Sequence, residues 1–427
     1  MPFFSKVTES AIQTAIELGM KPKIKPGVKP LIEITNQIRP RIVLAVTLPE
    51  CVLFFEGHIR YLREQGYEVT VVSCARPQAE LLEGASFVQI PMKRYMSVFR
   101  DLASLWHACR VLHELKPDII NAGTPKAGLI MMLAGWLCRV PHRVYTCHGL
   151  RLETMKGWRR TVLAWTERLS ARCAHRVIAV SDSVRAALIH LQLAPVSKVE
   201  VLHHGSCKGV EAARYAPTAE RLAEAAQLRL QWGIELDAPV IGFVGRQARD
   251  KGVDLLVEAF LAVKQLYPQA ILLMLGNDEE TDPIEERTKR IIATEPSIKN
   301  VGFISQIEPY YTVMDMLVHP SYREGFGNVI LEAGAAARPV IVSRVTGLVD
   351  SVKERVTGLF IEPGNVAQLQ DAMLELLRNA AYAKQLGVNG RRRVLRDYRP
   401  AHIIAAHERL YQRMLSQSRQ NKERGRQ

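Results

Sequence analysis

No CxxC pair occurs in the sequence. Its seven cysteines are scattered through 427 residues, as expected of reduced packing thiols in a cytoplasmic protein rather than of a disulfide framework. None of the twelve histidines stands in an HExxH or similar ligand spacing, so neither a protein-bound metal nor a cofactor is expected. The first residues do not run from a basic region into an apolar stretch, which argues against a secretory signal. Long apolar runs are also missing. The longest, AGLIMMLAGWLCRV over 127–140, is too short for a comfortable membrane span and meets Pro141 at once. It reads as a buried helix, and any membrane contact would be peripheral. No zinc-finger or RNA-binding motif directs the net charge of +14 toward a specific nucleic acid. Phosphorylated substrates and an anionic membrane surface are the other partners such charge suits.

Composition is otherwise that of a globular protein, 48% hydrophobic and 23% charged. The length exceeds what one hydrophobic core supports, so two domains are expected. Strand-like runs alternate with helical patterns at βαβ spacing. Predicted strands at 41–47, 68–73, 118–121, 143–146, 177–180 and 199–202 give an open parallel α/β domain over 40–210. Residues 211–237 form a connector. Predicted strands at 239–245, 270–275, 300–303, 316–318, 340–342 and 358–361 give a second domain over 238–390. Residues 391–427 are a helix and basic tail. Residues 1–39 are an extension whose second part, KPKIKPGVKP, is a poor helix or central strand. A basic helix through Lys156, Arg159, Arg160, Arg168 and Arg172 carries Trp158 and Trp165 among its charges.

The stretch HPSYREGFGNVILEAGAAARPVIVS places Glu324 and Glu332 eight residues apart around a Gly-Phe-Gly-Asn turn. The pattern predicts strand, tight loop, helix, strand. The loop and helix mouth then lie at the carboxyl edge of a parallel sheet, where α/β folds bind ligands. Glu324 is expected in the loop and Glu332 inside the helix. Glu332 is suited to accept two ribose hydroxyls, and Glu324 to hold hydroxyls of an attached sugar. The backbone N–H groups of Phe326, Gly327, Asn328 and Val329 suit a sugar or phosphate. The alternative is a solvated helix glutamate at 332 and a charge favouring the helix dipole at 324. The loop from Gly245 to Gly252 follows a predicted strand and holds Arg246 and Lys251. These cations suit a diphosphate and a departing phosphate's charge, or belong to a solvated basic loop. The loop lacks GKS or GKT and is not a P-loop. His148, between a predicted strand and Gly149, is placed either to orient a hydroxyl or as an ordinary loop histidine.

Taken together, these motifs carry a specific resemblance over residues 40–400. It is strongest in GRxxxxKG at 245–252 and EGFGNVILEA at 324–333, and YTCHG at 145–149 also fits. The sequence resembles retaining GT-B glycosyltransferases of the family 4 type, represented by bacterial glycogen synthases, sucrose synthases and phosphatidylinositol mannosyltransferases. The segment HGLRLETMKGWRRTVLAWTERLSARCAHRVIAVS is similar to capsule, O-antigen and exopolysaccharide transferases. The resemblance implies an α/β GT-B fold, two Rossmann-like domains facing across a cleft. It implies Arg246 and Lys251 at the donor diphosphate, Glu324 at the transferred sugar and His148 near one of its hydroxyls. Phe326, Gly327, Asn328 and Val329 would form the donor loop, with Glu332 at the ribose. Gly57 matches a loop that often has two glycines beside the donor phosphates. Glu56 is a departure there, and Gly276-Asn277-Asp278 departs from Gly-x-Gly.

The implied reaction moves a hexosyl or N-acetylhexosaminyl group, with retention and without a protein-bound metal. The donor would be a nucleotide sugar, a UDP-sugar first. The acceptor would be a polyprenyl-diphosphate-linked saccharide in surface polysaccharide or lipopolysaccharide synthesis. The tryptophan-bearing helix would meet the cytoplasmic face of the inner membrane or the acceptor diphosphate, or pack through its tryptophans. Alternatives are a soluble sucrose- or glucan-type glucosyltransferase and a noncatalytic sugar-nucleotide or polysaccharide-binding protein. The intact set of Arg246, Lys251, Glu324 and Glu332 favours an enzyme over the binding protein.

Overall fold

The structure, a computed structural model, describes residues 39–93 and 97–424. All but the last residue of the predicted N-terminal extension lies outside the described residues. The first sheet comprises β1 (Arg41–Ala45), β2 (Glu68–Ser73), β3 (Ser86–Gln89), β4 (Ile119–Gly123), β5 (His142–Cys147), β6 (Arg176–Ala179) and β7 (Val199–Val201). Their spatial order is β3-β2-β1-β4-β5-β6-β7, all parallel. The second sheet comprises β8 (Val240–Val244), β9 (Ile271–Leu275), β10 (Ile298–Gly302), β11 (Met316–His319), β12 (Val340–Ser343) and β13 (Gly358–Ile361). Its order is β10-β9-β8-β11-β12-β13, again all parallel. In each sheet the order reverses beside the first strand, between β1 and β4 and between β8 and β11. Loops leaving the carboxyl ends of these strands part there and open a crevice.

Helices cover both faces of both sheets, so the strands are apolar throughout rather than alternating. Along β1, Val43 and Ala45 enter one core and Ile42 and Leu44 the other. Along β8, Val240 and Val244 face one core and Ile241 and Phe243 the other. Asn365 caps helix Val366–Arg378 and Asn379 caps helix Ala380–Asp397, each accepting a backbone N–H at 3.0 Å. Most predicted strand limits shift by one or two residues. The strand expected at 300–303 begins two residues earlier, because Ile298 is buried in the second domain's core. β3 has no counterpart among the predicted strands.

Helix Ala380–Asp397 packs on helix Asn328–Ala335, where Gly334 and Gly390 let the backbones approach. The chain then turns at Tyr398 and returns to the first sheet. Helix Pro400–Arg424 seats Leu410, Tyr411 and Met414 in the core beneath β1, β2 and β4. Each such side chain contributes about 1.5–3 kcal/mol of burial. Asn121 in β4 donates to the Tyr411 hydroxyl at 2.7 Å, and Tyr61 donates to Glu408 at 2.7 Å. The chain thus crosses between the two sheets twice.

Candidate functional site

The loop after β8 is stitched to the loop after β11. Gly252 has a φ of +72°, and a Cβ there would overlap the Pro320 carbonyl. The Asp250 carbonyl accepts from Tyr322 N at 2.8 Å and Ser321 Oγ at 3.0 Å, while Arg323 pairs with the Asp250 carboxylate. This stitching brings Lys251 against Glu324, and the two form an ion pair. The same Glu324 oxygen lies 2.7 Å from His319 Nε2, at the end of β11. Burial alone would push the Glu324 carboxyl up. Lys251 and His319 reverse that and hold it well below the usual carboxylate range. Glu324 is therefore a fixed negative charge with a fixed positive partner.

A cavity of about 270 Å³ lies beside this pair. Its walls bring together His148, Arg246, Lys251, Glu324 and all of Phe326, Gly327, Asn328 and Val329. They come from both sheets, and the two halves touch at glycine. A Cβ on Gly149 would sit 3.0 Å from Gly325 Cα, and one on Gly325 would overlap the His148 carbonyl. His148 stacks on Phe54 with ring centroids 4.4 Å apart. Its Nε2 is buried against Gly123 without a partner. Burial, with His407 adding a smaller push, lowers the His148 imidazole to about 3. It is neutral near pH 7. Arg246 pairs with Glu279, and its side chain remains 42% exposed.

Gly327, with a φ of +80°, starts helix Asn328–Ala335. The first-turn N–H groups have no partner within the helix and carry its positive dipole end. Asn328 is anchored across the crevice, its Oδ1 accepting from Ser206 Oγ at 3.0 Å. Glu332 lies one turn into the helix and is half-buried, held by Tyr311 rather than standing free in solvent. Tyr311 donates to it at 2.7 Å, yet burial still raises its carboxyl above the usual value. Glu332 and Gly57 line a neighbouring cavity of about 250 Å³. Glu56 lines it too, bridging Lys208 at 2.6 Å and Arg214 at 3.2 Å. Its charge is thereby matched by two cations. Tyr311, His319, Phe54 and Lys208 were not singled out in the sequence. Of these, only His319 carries a local signal, a histidine closing a buried strand five residues before Glu324.

A third and larger cavity, of about 630 Å³, continues along the crevice. Arg151 and Lys156 line it from the first half, and Arg249, Asp282, Tyr322 and Arg323 from the second. Among the described residues, no group of three or more His, Cys, Asp or Glu side chains is placed to hold a metal ion. No described helix is long and apolar enough to cross a membrane.

Two Rossmann-like domains with a polar crevice at both sheet switch points define a GT-B architecture. Solved structures share it. HepE of Anabaena, in complex with UDP and glucose, superposes with a TM-score of 0.72 at 19% identity, covering 87% of this chain and 99% of that one. Sucrose-phosphate synthase of Thermosynechococcus elongatus gives 0.73 at 21% identity, covering 88% and 100%. Family models agree: residues 55–206 match Glycosyltransferase Family 4 and residues 225–393 match Glycosyl transferases group 1. The capsular polysaccharide biosynthesis glycosyltransferase CapM of Staphylococcus aureus is 33% identical over 373 residues, 87% of this chain and 97% of the relative. The chain belongs to this glycosyltransferase family. A UDP-Gal:alpha-D-GlcNAc-diphosphoundecaprenol alpha-1,3-galactosyltransferase of Escherichia coli is 25% identical, covering 66% of this chain and 72% of that relative.

Proposed function

We propose that the protein is a retaining glycosyltransferase that moves a hexosyl or N-acetylhexosaminyl group from a UDP-sugar to a polyprenyl-diphosphate-linked saccharide. The setting is surface polysaccharide synthesis. The observation that carries this reading is the juxtaposition of Lys251, Arg246 and Glu324 with the start of helix Asn328–Ala335 in one cavity. Glu332 stands in the adjoining cavity, where a ribose would lie. Residues 238–390 would hold the donor and residues 40–210 the acceptor.

Arg246 and Lys251 meet the charge that builds on the departing diphosphate. The C1–O bond to the β-phosphate breaks and a bond from C1 to the acceptor oxygen forms on the same face. The acceptor's hydroxyl proton passes to the leaving diphosphate, so configuration is retained and UDP departs. Positive charge at the leaving group then comes from side chains rather than from a metal held by the chain. Glu324, locked to Lys251 and His319, positions the sugar and is not a covalent nucleophile. His148, neutral and stacked, borders the transferred sugar. The CapM and galactosyltransferase relatives support the polysaccharide setting and the lipid-linked acceptor by their own described activities.

The test is product formation from a panel of UDP-, GDP- and ADP-sugars, each against lipid-linked and free-sugar acceptors. Transfer from a UDP-sugar to a diphospholipid-linked saccharide, with the donor's anomeric configuration kept, is the expected result. Transfer only to free sugars would replace this reading with a soluble glucosyltransferase. Donor binding without transfer to any acceptor would replace it with a binding protein.

A further inference from the structure

The turn that follows Glu324 is backed from two sides. On one side, Gly149 and the His148 carbonyl lie against Gly325. On the other stands Gly347, with a φ of +83°, where a Cβ would overlap the Gly325 carbonyl and come 2.8 Å from that of Glu324. The next residue, Leu348, is buried, and a Cβ on Gly327 would lie 2.7 Å from its side chain. Residues 347 and 348 therefore back the whole turn from Glu324 to Gly327, at the start of helix Asn328–Ala335.

The partner of Gly347 comes from the other half of the molecule. Its N–H donates to Ser183 Oγ at 2.7 Å. Ser183 lies in the first turn of helix Asp182–His190, which follows β6 at the carboxyl edge of the first sheet. Its hydroxyl donates in turn to the Asp350 carboxylate, and the same carboxylate oxygen accepts from the Ser183 N–H at 3.1 Å. That N–H is a first-turn donor with no partner inside its own helix, so an acid is well placed there. One residue before Gly347, Thr346 donates to Glu153 of the first half at 2.7 Å. Arg393 donates to the Asp350 and Ser351 carbonyls and ties the far end of this segment to the second half.

We propose that Ser183 and Asp350 are positioning residues for the transfer, setting the Gly325–Gly327 turn when the two halves are closed on each other. Neither lines the cavity that holds Lys251 and Glu324; both act through Gly347. Lys251 and His319 already hold the Glu324 carboxylate, so what the contact sets is the backbone after it, which lines the cavity from Gly325 to Val329. The contact is non-covalent and breaks when the crevice opens. Gly347 then loses its acceptor, and Gly325 loses Gly149 in the same movement. Both supports of the turn thus depend on the first half, and closure is read at the donor-facing backbone. A hydroxyl is what the place requires, because one group must accept from Gly347 and donate to Asp350 at once. Threonine can do both and alanine neither. The inference rests on the assignment of this cavity to the donor, but the contact has a readout that needs no turnover.

Transfer kinetics, donor titration and hydrogen exchange on the full chain test it together. Ser183→Ala should lower kcat about thirtyfold while the donor Kd stays within about twofold, and Ser183→Thr should return kcat to within about threefold of wild type. Asp350→Ala should resemble Ser183→Ala, and the double variant should lose little more than either, because the two groups act as one. In the substrate-free protein the Gly347 amide should exchange about tenfold faster in Ser183→Ala and at the wild-type rate in Ser183→Thr. Melting temperatures should match wild type throughout. Wild-type kcat in Ser183→Ala, or a loss shared equally by kcat and donor affinity, would overturn the proposal. So would wild-type exchange at Gly347 in Ser183→Ala. If the wild-type protein transfers sugar to no acceptor, the proposed reaction fails, and the Gly347 exchange decides the contact by itself.

Discussion

Lys251→Ala separates two roles of one ammonium. Lys251 and Glu324 are 15% and 14% exposed, and the only other described partner of the Glu324 carboxylate is His319. Removing the lysine leaves a buried carboxylate with half its support. Breaking a buried pair from one side costs about 3–5 kcal/mol; the retained His319 bond places this case near the lower end, about 3 kcal/mol at pH 7. The pH dependence carries the signature. In the wild type the Glu324 carboxyl is held below its usual value of 4.5, so its stabilising contribution is present above that pH and fades as pH falls. Without Lys251, His319 alone offsets the burial that pushes this carboxyl up, so its ionisation supports the fold less at neutral pH. The stability deficit should therefore be largest at neutral pH and shrink below pH 4.5. Urea unfolding of both proteins at pH 7 and pH 4 reads this directly. The double variant Lys251→Ala/Glu324→Gln should regain most of the lost stability at pH 7. Its transfer rate should stay about 10²–10³-fold low, because the charge at the leaving diphosphate is still absent. Equal deficits at both pH values would refute the electrostatic account, and full turnover in Lys251→Ala would refute the leaving-group role.

Tyr311→Phe removes the hydroxyl that donates to the half-buried Glu332, a loss of about 1 kcal/mol. Donor affinity measured by titration should fall roughly tenfold, and Glu332→Ala should lower it further; an unchanged Kd in Glu332→Ala would reject the ribose role. Gly325→Ala drives a methyl into the His148 carbonyl and should cut turnover at least a hundredfold by parting the two halves of the cavity, with melting temperature as the control for folding. His148 is lowered to about 3, so it should add no step to the rate profile between pH 5 and 8. Because its folded value lies below the usual 6.5, protonation favours unfolding, and stability should decline as pH falls below 6.5. A nuclear magnetic resonance titration placing this imidazole near 6.5 in the folded protein would contradict the burial argument.

Much of this arrangement was legible in the chain. Parallel strands covered on both faces are continuous apolar runs, so β1, β2, β8 and β9 stand out, and loops at their carboxyl ends locate Arg246, Lys251 and Glu324. β3 was missed because SFVQ is a short edge strand that is only half buried and has little apolar contrast. The partners that define electrostatics were not legible for a different reason. Tyr311 precedes Glu332 by twenty-one residues and Lys208 follows Glu56 by one hundred and fifty-two. Such pairings exist only after the sheets form and the halves meet. The basic helix at 157–173 was visible, but which way its tryptophans face depends on Ser170, Ala171 and Cys173 occupying the domain side.

The two chain crossings between the halves do not run independently. Val210 donates its N–H to the Tyr398 carbonyl at 2.9 Å, and Gly209, with a φ of +70°, is needed for that approach because a Cβ would come 2.5 Å from the same oxygen. Outgoing and returning strands of the chain are thus fastened at one point. Two tethers anchored far apart would resist rotation in every direction, whereas two fastened together leave one pivot about which the halves can swing.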